Sequence, residues 1–181
     1  KITDNLVSAT HSIGSIILNT LYLYTSKESI LNISCIYSYS YFIYDTYLIS
    51  FKKTGYSYYL HHISALIIIE DILNNINRDL LVYLFIIAEI SNIPNYYVYH
   101  KLKYNPSKDL KYTKLLQLLW FSYFRIYVYS YYIKPVAYSV HHKLTTIMLL
   151  LVYFAGAYWS FGQIKGVYTL FNKKPLVKKI V

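Results

Sequence analysis

Charge is scarce in this chain. Only 14% of its 181 residues are Asp, Glu, Lys or Arg, where a soluble domain averages about 25%. Beside 56% hydrophobic and 19% aromatic residues, that scarcity excludes an ordinary water-soluble domain and points to a membrane protein. Mean hydropathy is only +0.30, but 25 tyrosines depress it, and tyrosine belongs at the headgroup level. A single cysteine, Cys35, excludes an intramolecular disulfide framework, and its thiol is expected to be inert packing. No Pro/Gly-rich linker and no internal repeat divides the chain, so one helical membrane domain is expected. No signal peptide with a small-residue cleavage site is visible. The first residue is Lys1 rather than Met, so the chain is expected to be trimmed at its N-terminus. Abundant Ile, Lys, Asn and Tyr fit an AT-rich gene, as in protists, parasites and large DNA viruses.

What charge there is follows a pattern. The net +10 sits in short clusters between apolar segments, which is membrane topology and not a phosphate-binding face. Nucleic acid is therefore not an expected partner; membrane lipids are. A spanning helix needs about 20 mostly apolar residues. Six segments qualify: Leu6–Tyr24, Ile30–Phe51, Tyr58–Leu73, Leu80–Tyr99, Leu115–Ile133 and Leu144–Leu170. The fold class is thus all-α and polytopic, with about six transmembrane helices. One side collects thirteen basic residues (Lys1, Lys52, Lys53, Lys101, Lys103, Lys108, Lys111, Lys114, Lys165, Lys173, Lys174, Lys178, Lys179). The other collects four (Lys27, Arg78, Lys134, Lys143). The positive-inside rule then places both termini in the cytosol. Lys178 and Lys179, fourth and third from the end, match a dilysine retrieval signal, an address read by a coat protein on a cytosolic tail. The alternative is a basic tail touching anionic lipid. Residence in the endoplasmic reticulum or a host internal membrane is expected. Asn32-Ile33-Ser34 is a glycosylation sequon too close to the membrane to be used.

Ionisable side chains inside spans cost about 2.5–3.5 kcal/mol each and mark functional positions. Counted from the cytosolic ends at 1.5 Å per residue, His11, Asp45, His61, His62 and Asn95 lie about 6–9 Å deep, and Glu89, Arg125 and Trp159 about 16 Å deep. Two layers are expected. The deep one pairs Glu89 with Arg125 as an ion pair between helices. The shallow one joins imidazoles, a carboxylate and an amide from four helices, a set suited to acid–base or nucleophilic work or to interhelical hydrogen bonding. Successive residues point about 100° apart on a helix, so one of His61 and His62 is expected to line a cavity while the other contacts an adjacent helix. Asp45 is placed to orient an imidazole. At the opposite face, Glu70-Asp71 and His141-His142 offer metal-ligand chemistry, but their spacing matches no closed motif and no metal is expected.

Six fragments in order carry a family resemblance: "NLVSATHSIGSIIL" (Asn5–Leu18), "YFIYDTYLI" (Tyr41–Ile49), "YLHHISALIII" (Tyr59–Ile69), "AEISNIPNYYVYHKL" (Ala88–Leu102), "FSYFRIYV" (Phe121–Val128) and the late Trp159. Together they resemble the TLC domain family (TRAM, LAG1 and CLN8). The resemblance spans residues 5–173 as a TLC-like transmembrane domain and leaves 174–181 as a basic cytosolic tail. It implies a membrane protein of lipid metabolism, lipid sensing or trafficking, with a lipid-accessible cavity. In the family's ceramide synthases, which join a fatty acyl-CoA to a sphingoid base, the histidines matching His61 and His62 are catalytic. A His-Asp-x-Ser-Asp stretch follows on their next helix. Here that stretch reads Ala88-Glu89-Ile90-Ser91-Asn92. The departure counts against sphingosine acylation and resembles the members associated with phospholipid composition and membrane fluidity.

Three functions follow as expectations. The first is lipid handling that sets membrane composition. The second is an acyltransferase with acyl-CoA as substrate and no cofactor, using His61 or His62 as base or transient acyl acceptor with Asp45 as partner. Its substrate site would draw on His11, Asn95, Glu89, Arg125 and Trp159. The third is a carrier working through Glu89 and Arg125, which broken midplane helices would support.

Overall fold

The computed structural model describes residues 2–51, 56–104, 110–137 and 143–172. Lys178, Lys179, His141 and His142 lie outside them. Among the described residues the chain is helical throughout, with no strand. The helices are α1 (Ile2–Thr25), α2 (Glu28–Ser50), α3 (Tyr56–Leu73), α4 (Arg78–Tyr104), α5 (Leu110–Ser122), α6 (Tyr129–Ala137) and α7 (Lys143–Asn172). A π-helical turn, Tyr123–Val128, joins α5 to α6 into one rod, so the described residues form six rods, as the apolar segments predict.

Each rod touches two neighbours in a closed ring: α1 meets α2, α2 meets α3, α3 meets α7, α7 meets the α5–α6 rod, that rod meets α4, and α4 returns to α1. A further contact of α3 with α4 pinches one end of the ring shut. There Ala65, Ile68, Ile69 and Ile72 of α3 pack with Leu81, Val82, Leu84 and Phe85 of α4 and with Leu149 of α7. The short turn between α3 and α4 makes this pinch local. Asn75 and Asn77 take positive φ, 61° and 45°, a conformation asparagine tolerates better than most residues. Arg78 then reaches back, its Nε donating to the Ile72 carbonyl at 3.0 Å and its Nη1 to Glu28 at 2.5 Å.

The ring is apolar outside and polar inside. On α1, His11, Ser12, Ser15, Asn19 and Tyr22 are buried while Ile13, Ile17 and Leu21 are exposed. In water this arrangement would be upside down; against hydrocarbon it is required, because the only polar partners are the other helices. Among the described residues three helices, from Asn5–Thr25, Arg78–Tyr104 and Lys143–Asn172, are long and apolar enough to cross a membrane by themselves. The others carry Asp45, His61-His62 or Arg125 at positions the ring shelters. The protein is an all-α integral membrane protein.

Helix α4 contains Pro94 and continues through it. Proline has no N–H, so the carbonyl of Ile90, one turn earlier, loses its partner. The indole Nε1 of Trp120 on α5 donates to that carbonyl at 3.0 Å. Trp120→Phe is expected to cost about 1 kcal/mol, and much less in a Pro94→Ala background, where the helix recovers its own N–H. Thermal unfolding of the four proteins in one detergent reads this directly.

Candidate functional site

Held apart at the other end, the ring encloses a cavity of about 840 Å³. Lys114 of α5 and Lys165 of α7 stand at its mouth, and His11, Asp45, His61, His62 and Glu89 line its inner part. Lys101 and Lys103 end α4 at the same face, where Lys101 Nζ donates to Thr113 Oγ1 across 3.1 Å.

His62 reaches this wall through helical periodicity. It shares one buried stripe of α3 with Ala65, Ile69 and Ile72, so the face that is hydrocarbon deeper down turns polar one turn higher. Its Nε2 lies 3.4 Å from Asp45 Oδ2 and its Nδ1 lies 3.1 Å from Thr46 Oγ1, both on α2. His61 points the other way, toward α7, meeting the Trp159 ring edge-on with centroids 5.4 Å apart. Its Nδ1 is buried without a hydrogen-bond partner. The expectation that only one imidazole would face the cavity is corrected: both line it. They can because α3 stands at a corner of the ring, between α2 and α7.

His11 stacks on Tyr41, centroids 3.8 Å apart and planes 9° from parallel, with its Nε2 buried and unpartnered. Glu89, 5% exposed, accepts a hydrogen bond from Ser12 Oγ, which also lies 3.0 Å from the Tyr96 hydroxyl. Asn92 supplies a further hydrogen bond to the same carboxyl.

Arg125 departs from expectation twice. It is fully buried and does not line the cavity. Nor does it pair with Glu89: its Nε, Nη1 and Nη2 have no hydrogen-bond partner among the described residues. Glu89 is held on α1 instead, by Ser12, while the π-helical turn carries Arg125 behind Phe121, its guanidinium 5.8 Å from that ring centre. Trp159 also moves, from the expected deep layer to the side of His61 and Tyr58. With 30 residues and 1.5 Å per residue, α7 outruns the roughly 30 Å hydrocarbon core, so depth counted from its end is overstated.

In a comparison with protein families, the TLC domain (TRAM, LAG1 and CLN8) matches residues 1–161. The chain belongs to the TLC domain family. No curated protein and no solved structure matches it. The TLC cavity recruits groups that the ionisable residues did not announce. Asn95 Oδ1 accepts from Gln117 Nε2 at 2.7 Å and from Gln163 Nε2 at 3.3 Å, tying α4, α5 and α7 beneath the mouth. One glutamine in each of two apolar spans was the available signal. The signal for Ser12 was the helical spacing of Ser8, Ser12, Ser15 and Asn19 on α1. Among the described residues no cluster of His, Cys, Asp and Glu is arranged to hold a metal, and Asp71 accepts from Thr145 Oγ1 at 2.6 Å.

Proposed function

We propose that this TLC protein handles lipid in a membrane of the endoplasmic-reticulum type, taking one amphiphile at a time through a cytosol-facing mouth and so shaping membrane lipid composition. The cavity carries this reading. Its volume of about 840 Å³ falls in the roughly 300–1,000 Å³ range of small-molecule sites. Cationic Lys114 and Lys165 at the entrance suit an anionic or zwitterionic headgroup. The positive-inside count supports the cytosolic mouth, and Lys178-Lys179 the residence. Extraction of the purified protein and mass spectrometry are expected to find about one lipid per chain; protein that carries none after gentle solubilisation would end the proposal.

Acyl transfer from acyl-CoA is a second reading, favoured by the division of labour between the histidines. His62 has both ring nitrogens beside α2 side chains, whereas His61 keeps an unpartnered Nδ1. In this reading His61 takes the proton from the acceptor amine or hydroxyl, and the freed lone pair attacks the thioester carbonyl. The C–S bond then breaks and coenzyme A leaves as its thiol, recovering the proton. His62, held by Asp45, positions the pair. Labelled acyl-CoA would be offered with sphingoid bases and lysophospholipids. His61→Ala is expected to reduce transfer by about 10²–10⁴-fold, and transfer that survives His61→Ala with His62→Ala would sink the reading. It stands second because Ala88 and Asn92 replace the acidic stretch of the ceramide synthases.

A further inference from the structure

Beneath the polar belt lies a second, much smaller cavity of about 20 Å³. Ala65, Ile68, Leu81, Leu84, Leu149 and Val152 form its apolar walls. The two cavities share three lining residues, Phe42, His61 and Glu89. Of these, Phe42 is the apolar one, 2% exposed on α2. Its ring meets His11, His62 and Phe85 edge-on, with centroids 5.3, 5.4 and 6.1 Å away. Directly above it stand imidazoles and a carboxylate; below it the walls are mostly hydrocarbon, with the Tyr129 side chain among them.

We infer that Phe42 is the floor that sets how long a lipid chain this cavity accepts, and that the apolar sac beneath it is a closed extension of the chain site. The inference rests on the lipid-handling proposal. A methyl end gains nothing from the polar belt and gains from the apolar sac. With Phe42 in place the sac has room for about one water-sized group, so a chain entering from the mouth stops at the ring. Removing the ring joins the two spaces without deleting a polar group. Lys114 and Lys165 remain at the mouth to hold the headgroup at the same depth. The geometry therefore separates two properties, headgroup retention above Phe42 and chain length at it.

The test incubates purified protein with an equimolar set of lysophosphatidylcholines from lauroyl to arachidoyl and reads the retained chains by native mass spectrometry. Phe42→Ala is expected to enrich the longer chains, by up to roughly fourfold for each methylene the sac admits. Phe42→Leu gives the same direction to a smaller degree and serves where Phe42→Ala is too unstable to purify. Ala65→Leu, which refills the sac, is expected to abolish the gain in either background. Wild-type protein that retains no lysolipid would overturn the lipid-handling reading and this inference with it. Retention with a chain profile unmoved by Phe42→Ala or Phe42→Leu, or a gain that Ala65→Leu does not reverse, would overturn the inference alone.

Discussion

Replacing Arg125 by methionine is expected to stabilise the protein, by about 1–3 kcal/mol, the cost of leaving a buried polar group unsatisfied. The side chain is fully buried and its three guanidinium nitrogens have no hydrogen-bond partner among the described residues. A charge taken out of water and left unpaired is among the most expensive features a protein can hold. The offsets on view are the Phe121 ring, 5.8 Å away, where a desolvated cation–π contact contributes about 2 kcal/mol, and the longer-range attraction of the Glu89 carboxylate. Glu89 is engaged by Ser12 and Asn92, so it does not approach within ion-pair distance. Methionine keeps an unbranched stem in the same slot and removes the charge. Thermal unfolding of both proteins in one detergent decides the sign. A loss of more than about 1 kcal/mol would mean that the guanidinium is paired in the working protein. Higher stability with diminished lipid retention would mark Arg125 as a residue kept at a cost for function.

Much of this site was legible because a membrane makes polarity conspicuous. His11, Asp45, His61, His62, Glu89, Asn95 and Trp159 were singled out as polar or aromatic groups in apolar spans, and all seven line the cavity. The six rods were readable for the same reason. Pairings were less legible. Glu89 and Arg125 have matching depth and opposite charge, yet depth along an axis says nothing of rotation about it, and the π-helical turn at Tyr123–Val128 resets the rotation of Arg125. Ser12 was hidden because a serine in an apolar helix is most often helix–helix contact. Phe42 was invisible, since one phenylalanine among many becomes a septum only when α2, α3 and α4 close around it.

Gly156→Ala should change the sign of its effect with the residue at position 125. A Cβ at Gly156 would stand 2.3 Å from Arg125 Cγ and 3.1 Å from its Cδ, and the next nearest atom, Nε of the same side chain, is 3.5 Å away. The obstruction is thus Arg125 itself, near its root, where the stem has little freedom to swing. With Arg125 present, overpacking is expected to cost about 1–3 kcal/mol. With Arg125→Ala the obstruction is gone. Gly156 lies inside α7, where alanine is the better helix former by about 1 kcal/mol, so the same substitution should then stabilise. The coupling across this cycle is expected at about 2–4 kcal/mol, the sum of the two. Equal effects in both backgrounds would show that Gly156 serves something other than the seat of Arg125. A cycle that closes with the expected coupling would also fix the rotation of the π-helical turn, because only that rotation brings the arginine stem against α7.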